Sequence, residues 1–118
     1  MERGKEAHKL LGIYLKAIFP NNIKTEAHLY NVYNKKGELK TGYADVMFEG
    51  FPYWEVYEIK PRTYEKGAKY QSAQRQRNSY VDALAVEGIM VNRDGQTLNP
   101  FVNGGGCKNF CVFESKSF

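Results

Sequence analysis

The stretch Tyr53–Pro61, with the sequence YWEVYEIKP, predicts a buried β-strand that ends in two charged residues. Its aromatic and β-branched side chains are typical of strands inside a sheet. Glu58 and Lys60 lie two positions apart, so on a strand they project from the same face. Because an unpaired buried charge is energetically costly, a carboxylate and an ammonium side by side on such a strand indicate a site.

A second apolar run, Tyr43–Phe48, precedes this strand and contains Asp45. An Asp on one strand and a Glu-x-Lys on the next can converge on a divalent metal, since carboxylate oxygens are the ligands that hard cations prefer. Two other interpretations stay open. Glu58 and Lys60 are compatible with an ion pair on an exposed strand, and Asp45 with a charge at a strand edge.

The flanking sequence predicts an α-β-β-β-α-β order, which corresponds to an α/β fold with helices around a mixed sheet. Apolar residues at helical spacing predict the helices, and apolar runs bounded by turn residues predict the strands. The apolar stripe of the first helix consists of Ala7, Leu10, Leu11, Tyr14, Leu15 and Ile18. The predicted elements are a helix over 5–19, strands over 23–33, 39–48 and 53–60, a helix over 69–86 and a short strand over 88–92. Residues 107–114 are expected to add an edge strand.

The composition indicates a single domain, 1–118, with anionic partners. The formal net charge of +4 favours nucleic acid among them. No segment approaches the roughly 20 apolar residues of a membrane span, and the N-terminus lacks the apolar region of a signal peptide, so we expect no membrane partner. Cys107 and Cys111 are expected to be structural or free thiols rather than zinc ligands, because His8 and His28 are the only histidines.

Three motifs of this chain resemble a known enzyme family. They are Gly42-Tyr43-Ala44-Asp45-Val46 on one strand, Val56-Tyr57-Glu58-Ile59-Lys60-Pro61 on the next, and Gln76 and Tyr80 one turn apart on the following helix. Together they resemble the PD-(D/E)XK nuclease superfamily, and most of all the C-terminal nuclease toxin domains of bacterial polymorphic and contact-dependent inhibition toxins. The resemblance implies a restriction-endonuclease-like αβββαβ core over about residues 4–92, with 93–118 as a C-terminal extension.

The resemblance also implies roles for the site residues. Asp45, Glu58 and the main-chain carbonyl of Ile59 would bind Mg²⁺, or another divalent metal such as Mn²⁺ or Zn²⁺. Lys60 would orient the attacking water and stabilise developing negative charge. Gln76 would help position the nucleophile or the phosphate, with Gln71 and Gln74 as the alternatives for this place.

A further acidic residue and the phosphate contacts complete the expected site. In such nucleases a glutamate of the first helix often completes the metal site, and Glu6 fits that place, with Glu26 on the first strand as the alternative. Basic residues of the second helix are expected to contact backbone phosphates, namely Lys69, Arg75 and Arg77. The alternative is that this part of the helix, which also contains Gln71 and Gln74, is a solvated face.

These expectations describe a metal-dependent endonuclease that hydrolyses phosphodiester bonds in DNA. By resemblance it is a toxin effector domain from a longer protein, which acts in the cytoplasm of a target cell and has an acidic immunity protein as its partner. Three alternatives remain at this point: an RNase that cuts tRNA, a non-catalytic nucleic-acid-binding module, and a structure-specific nuclease of phage or repair type. Nothing in the predicted site residues separates DNA from RNA.

Overall fold

The computed structural model describes residues 2–50, 52–93, 96–98 and 110–115. Its elements in chain order are helix α1 (Glu2–Ile18), strands β1 (Ile23–Tyr33), β2 (Leu39–Glu49) and β3 (Trp54–Pro61), a 3₁₀ turn (Arg62–Glu65), helix α2 (Gly67–Val86), and strands β4 (Gln96–Leu98) and β5 (Phe110–Glu114). The α/β class is confirmed, and the first five predicted helices and strands occur in the predicted order. Neither helix in the described ranges is long and apolar enough to cross a membrane.

The strands of the described segments form one sheet in the order β1-β2-β3-β5-β4, and every neighbouring pair is antiparallel. The expectation of an edge strand over 107–114 is wrong in position, because β5 lies inside the sheet between β3 and β4. The predicted strand over 88–92 is reduced to an isolated parallel bridge between Trp54 and Val91. Main-chain hydrogen bonds hold that bridge, with the Trp54 amide donating to the Met90 carbonyl at 2.9 Å.

Two separate apolar clusters place the two helices on opposite faces of the sheet. Leu11 and Leu15 of α1 pack with Tyr57 and Ile59 of β3. On the other face, α2 packs with Val56 of β3 and with residues of β1 and β2. The alternation of Val56, Tyr57 and Ile59 between the two clusters is what a strand covered on both faces requires.

The buried side of α1 differs from the predicted stripe. Tyr14 and Ile18, which the helical spacing assigned to the apolar face, are 51% and 48% exposed. Leu11 and Leu15 are buried, and His8 lies one turn before Leu11. The observed contact side of α1 therefore includes His8, and this brings an imidazole toward the sheet.

Strand β2 approaches α2 very closely at Gly42. A Cβ atom at this position would lie 2.6 Å from Cε1 of Tyr80, which is far below any real contact distance. Only glycine leaves room for the Tyr80 ring here. The glycine of the GYAD motif therefore lets α2 pack against the strand that contains Asp45.

Candidate active site

The candidate site lies where strands β2 and β3 stop pairing. Their ladder runs from Glu49 opposite Trp54 to Val46 opposite Tyr57. The next residue on each strand, Asp45 on β2 and Glu58 on β3, forms hydrogen bonds to the other strand through its side chain instead. This end of the ladder leaves main-chain amides that need acceptors, since buried amides are nearly always hydrogen-bonded.

The two carboxyl groups supply those acceptors. The Ile59 amide donates to Oδ2 of Asp45 at 2.7 Å, and the Asp45 amide donates to Oε1 of Glu58 at 3.4 Å. Each carboxyl group is thus fixed by the main chain of the neighbouring strand. The sequence prediction that Asp45 and Glu58 converge agrees with this geometry. The observed contact of Ile59 is made by its amide, whereas the expected role was for its main-chain carbonyl as a metal ligand.

The electrostatics of the pair favour a bound proton or cation. Glu58 is 1% exposed, and burial is the main cause that raises its pKa well above the usual value, with the charge of Asp45 as the second. Burial also raises the pKa of Asp45, although the Ile59 amide and the charge of His8 oppose that shift. Two desolvated carboxyl groups this close repel each other when both are ionised, so a positive group between or beside them is stabilising.

Lys60 supplies a positive group at this place. Its Nζ lies 4.0 Å from Oε2 of Glu58, and its side chain is 22% exposed. The same ammonium lies 5.8 Å from the centroid of the Tyr64 ring, and the ammonium of Lys69 lies 5.6 Å from that ring. Lys60 therefore lies beside Glu58 and is partly open to solvent, and both ammonium groups lie next to the Tyr64 ring.

Helix α2 brings Gln76 and Tyr80 to the same region. Nε2 of Gln76 donates a hydrogen bond to the Tyr80 hydroxyl at 3.0 Å. Burial raises the pKa of Tyr80, and the charges of Glu58 and Asp45 add to the increase. Gln74, one of the alternatives, donates instead to the Tyr70 hydroxyl.

Helix α1 contributes a residue that the sequence interpretation missed. Nε2 of His8 lies 3.4 Å from Oδ2 of Asp45, and both residues line a cavity of about 390 Å³. Glu26 lines the same cavity and has a positive φ of 49°, which is uncommon for a residue other than glycine. Glu6 is exposed on α1 and is not among the residues that line this cavity.

Two of the three predicted phosphate contacts lie on the surface, and the third needs correction. Lys69 and Arg75 are exposed, and Arg75 borders a second groove together with Gln76. Arg77 is only 4% exposed, and its Nη1 donates to the main-chain carbonyl of Glu114 at 3.1 Å. Arg77 therefore ties α2 to β5 rather than facing a phosphate.

The donor set fits some divalent cations better than others. In the described part of the chain, no three His, Cys, Asp or Glu side chains are grouped in a way that could hold a metal. The site offers the Asp45 and Glu58 carboxylates, with the Ile59 main chain beside them. Mg²⁺ is usually held by one or two carboxylates and keeps several waters, whereas catalytic Zn²⁺ takes three protein ligands. The residues present therefore fit Mg²⁺ or Mn²⁺ better than Zn²⁺.

Comparisons with known proteins add no assignment to this geometry. No family model matches the chain, and no curated protein and no solved structure matches it. The likeness to the PD-(D/E)XK nucleases therefore rests on the motif residues of the sequence alone.

Proposed function

We propose that this protein is a metal-dependent endonuclease of the PD-(D/E)XK type that hydrolyses phosphodiester bonds in DNA. The observation that supports the proposal most strongly is the Asp45–Glu58 pair. The buried carboxyl group of Glu58 and the partly buried one of Asp45 lie together where the pairing of two strands ends, each held by a main-chain amide, with the Lys60 ammonium 4.0 Å from Glu58. A fold gains little stability from such a pair, so its presence favours a catalytic role.

The chemistry of phosphodiester hydrolysis requires these residue types. Asp45 and Glu58 would hold a divalent cation, which when bound acts as a Lewis acid on a phosphate oxygen and makes water a better nucleophile. The rest of the reaction depends on groups of the chain. The Lys60 ammonium, partly open to solvent, is placed to bind a phosphate oxygen and to stabilise the charge that develops during attack.

Gln76 is a positioning residue in this proposal. Nε2 of Gln76 donates a hydrogen bond to the Tyr80 hydroxyl. The side-chain carbonyl oxygen of Gln76 can then accept a hydrogen bond from a water molecule or a sugar hydroxyl. Arg75 and Lys35 border the groove on this side of the site. They would contact the phosphates next to the one that is cut, without reading base sequence.

The biological setting follows from the motif resemblance and from charge. We infer that the domain is the effector part of a bacterial toxin, active in the cytoplasm of a target cell. Its partner would be an immunity protein with an acidic surface, because the chain has a net charge of +4. Such a partner would block the site by covering its exposed lysines and arginines.

The experiment that tests the proposal is a cleavage assay with several substrates. Purified protein is incubated with supercoiled plasmid, linear duplex and total tRNA, each with Mg²⁺, Mn²⁺, Zn²⁺ or EDTA. Nicking of DNA with Mg²⁺ or Mn²⁺ but not with EDTA supports the proposal. Cleavage of tRNA alone would move the substrate to RNA. Binding of DNA without cleavage under any condition would leave only the non-catalytic binding module.

A further inference from the structure

Three aromatic side chains lie together on the exposed surface of the β1–β2 hairpin. The rings of His28 and Tyr43 are stacked, with centroids 4.6 Å apart and an interplanar angle of 10°. His28 and Tyr30 lie 4.4 Å apart in a tilted arrangement. Tyr30 is 59% exposed and Tyr43 is 58% exposed. We call this group, His28, Tyr30 and Tyr43, the aromatic surface.

The strand pairing explains why the rings meet, but not why they are uncovered. His28 and Tyr43 are register partners on β1 and β2, so their side chains stand side by side. Neither helix covers them, since α1 packs around Leu11 and Leu15 and α2 packs around the opposite cluster. Adjacent exposed rings of this kind indicate a binding surface.

The aromatic surface adjoins the candidate active site along both strands. Tyr43 is two positions from Asp45 on β2, a separation of about 7 Å along an extended strand. His28 is two positions from Glu26 on β1, and Glu26 and Asp45 both line the cavity beside α1. A chain that lies across the rings would therefore lead directly into that cavity.

The charges of the cavity that adjoins the aromatic surface indicate the class of partner. Two exposed lysines, Lys9 and Lys16, line this cavity. Flat rings that lead to cations match the bases and phosphates of an unpaired nucleic-acid strand.

We propose that the aromatic surface binds unpaired bases of single-stranded DNA and guides that strand into the active site. The choice of DNA rests on the proposed function, whereas the stacking does not. In a duplex the faces of the bases are covered by their neighbours, so the rings can stack only on a strand that is single or locally opened. The enzyme is therefore expected to prefer single-stranded or melted regions of its substrate.

The test is a titration of fluorescently labelled oligonucleotides with the 118-residue protein in EDTA, followed by anisotropy. The probes are oligothymidylate, an abasic strand of the same length, a blunt duplex and oligouridylate. We expect oligothymidylate to bind most tightly. Tyr43→Ala should weaken that binding about 5- to 100-fold, because stacking on one side chain contributes on this scale.

Two variants control for structural damage. Tyr43→Phe keeps a ring and should bind like the wild type. Tyr14→Ala removes a ring of α1 that is 51% exposed and lies outside the aromatic surface, and it should also bind normally. With the abasic strand, Tyr43→Ala should bind as the wild type does, because no base is present to stack.

The inference is overturned if Tyr43→Ala binds oligothymidylate as tightly as the wild type, if Tyr43→Phe loses as much affinity as Tyr43→Ala, or if the duplex binds more tightly than the single strand. Tighter binding of oligouridylate would overturn the choice of DNA. Cleavage with Mg²⁺ is measured separately. A protein that cleaves plasmid but shows no ring-dependent binding supports the proposed function and overturns this inference. A protein that binds through the rings but cleaves nothing supports the stacking surface and contradicts the proposed function.

Discussion

Replacing Glu58 by glutamine should stabilise the fold while removing the charge of its carboxylate. The glutamine keeps the shape of the side chain, and its carbonyl oxygen can still accept the hydrogen bond from the Asp45 amide. The substitution removes the negative charge of a residue that is 1% exposed and lies close to a second carboxylate. A group that is present for chemistry rather than for stability should show this trade-off.

The sign and the pH dependence of this effect follow from the linkage between pKa and stability. The pKa of Glu58 is raised in the folded chain, so the folded state binds its proton more tightly than the unfolded state does. Below the ordinary glutamate value of 4.5, both states are protonated and Glu58 imposes no penalty. As the pH rises toward the higher pKa of the folded state, the penalty grows by about 1.4 kcal/mol for each unit. At pH 7 we expect Glu58→Gln to raise the unfolding free energy by roughly 1–2 kcal/mol, the usual size of a stabilising substitution, or Tm by about 4–8 °C.

The assay is urea unfolding, followed by circular dichroism, of wild type and Glu58→Gln in EDTA at several pH values. Glu87→Gln, at an exposed glutamate directly after α2, is the control, and should change stability by less than about 0.5 kcal/mol. The gain of Glu58→Gln should be present at pH 7 and vanish near pH 4. A variant that is less stable than the wild type at pH 7, or a gain in stability that is the same at both pH values, would refute the claim that the ionised carboxylate pair destabilises the fold.

Further substitutions test the packing and the charges around the site. Gly42→Ala should lower the unfolding free energy by about 1–3 kcal/mol, because the new Cβ meets the Tyr80 ring at 2.6 Å; urea unfolding measures this, and an unchanged stability would contradict the close approach. Arg77→Ala should lower stability by about 2–3 kcal/mol, since it leaves the Glu114 carbonyl without this buried donor. Arg75→Ala should leave stability within about 0.5 kcal/mol but reduce the salt dependence of single-strand DNA binding by about 0.7 in slope; equal effects of the two arginine substitutions on stability would show that their assigned roles are wrong.

The local signals of the sequence predicted the first five elements well. Each of them is bounded by turn residues and has its own apolar period, so no long-range information is needed to recognise it. Strand β5 shows that such local signals do not determine which strands become neighbours in the sheet. The apolar run from Phe110 to Phe113 fits a fully buried strand, but its place between β3 and β4 depends on pairing with residues about 50 positions away. The run over 88–92 is equally apolar and forms only a bridge to Trp54.

The site was predictable where its residues follow a motif. Asp45, Glu58 and Lys60 meet because strand geometry sets their directions once β2 and β3 are neighbours. The face of a helix is harder to assign. Arg77 lies in one buried row with Ala73 and Tyr80, at positions i, i+4 and i+7, and that row could have shown that its guanidinium is covered.

His8 is the residue that sequence reasoning placed least well. It lies one turn before Leu11, at the edge of the buried side of α1, where a polar residue can face a site instead of the core. Its contact with Asp45 depends on how α1 lies across the sheet, and no local pattern determines that. The same dependence on tertiary packing explains why the sequence favoured Glu6, whereas Glu26 is the one that lines the cavity with Asp45.

The rate of plasmid nicking by Asp45→Asn tests the assignment of the active site most directly. Asn keeps the size of the side chain and an oxygen for the Ile59 amide, so the fold should persist while the charge is lost. The matched control is Asp82→Asn, at a carboxylate on the exposed side of α2 that is 63% exposed. With Mg²⁺ we expect the wild type and Asp82→Asn to nick supercoiled DNA at equal rates, and Asp45→Asn to be slower by at least about 100-fold. Equal rates for all three proteins, or nicking that continues in EDTA, would contradict a metal-dependent site at the Asp45–Glu58 pair.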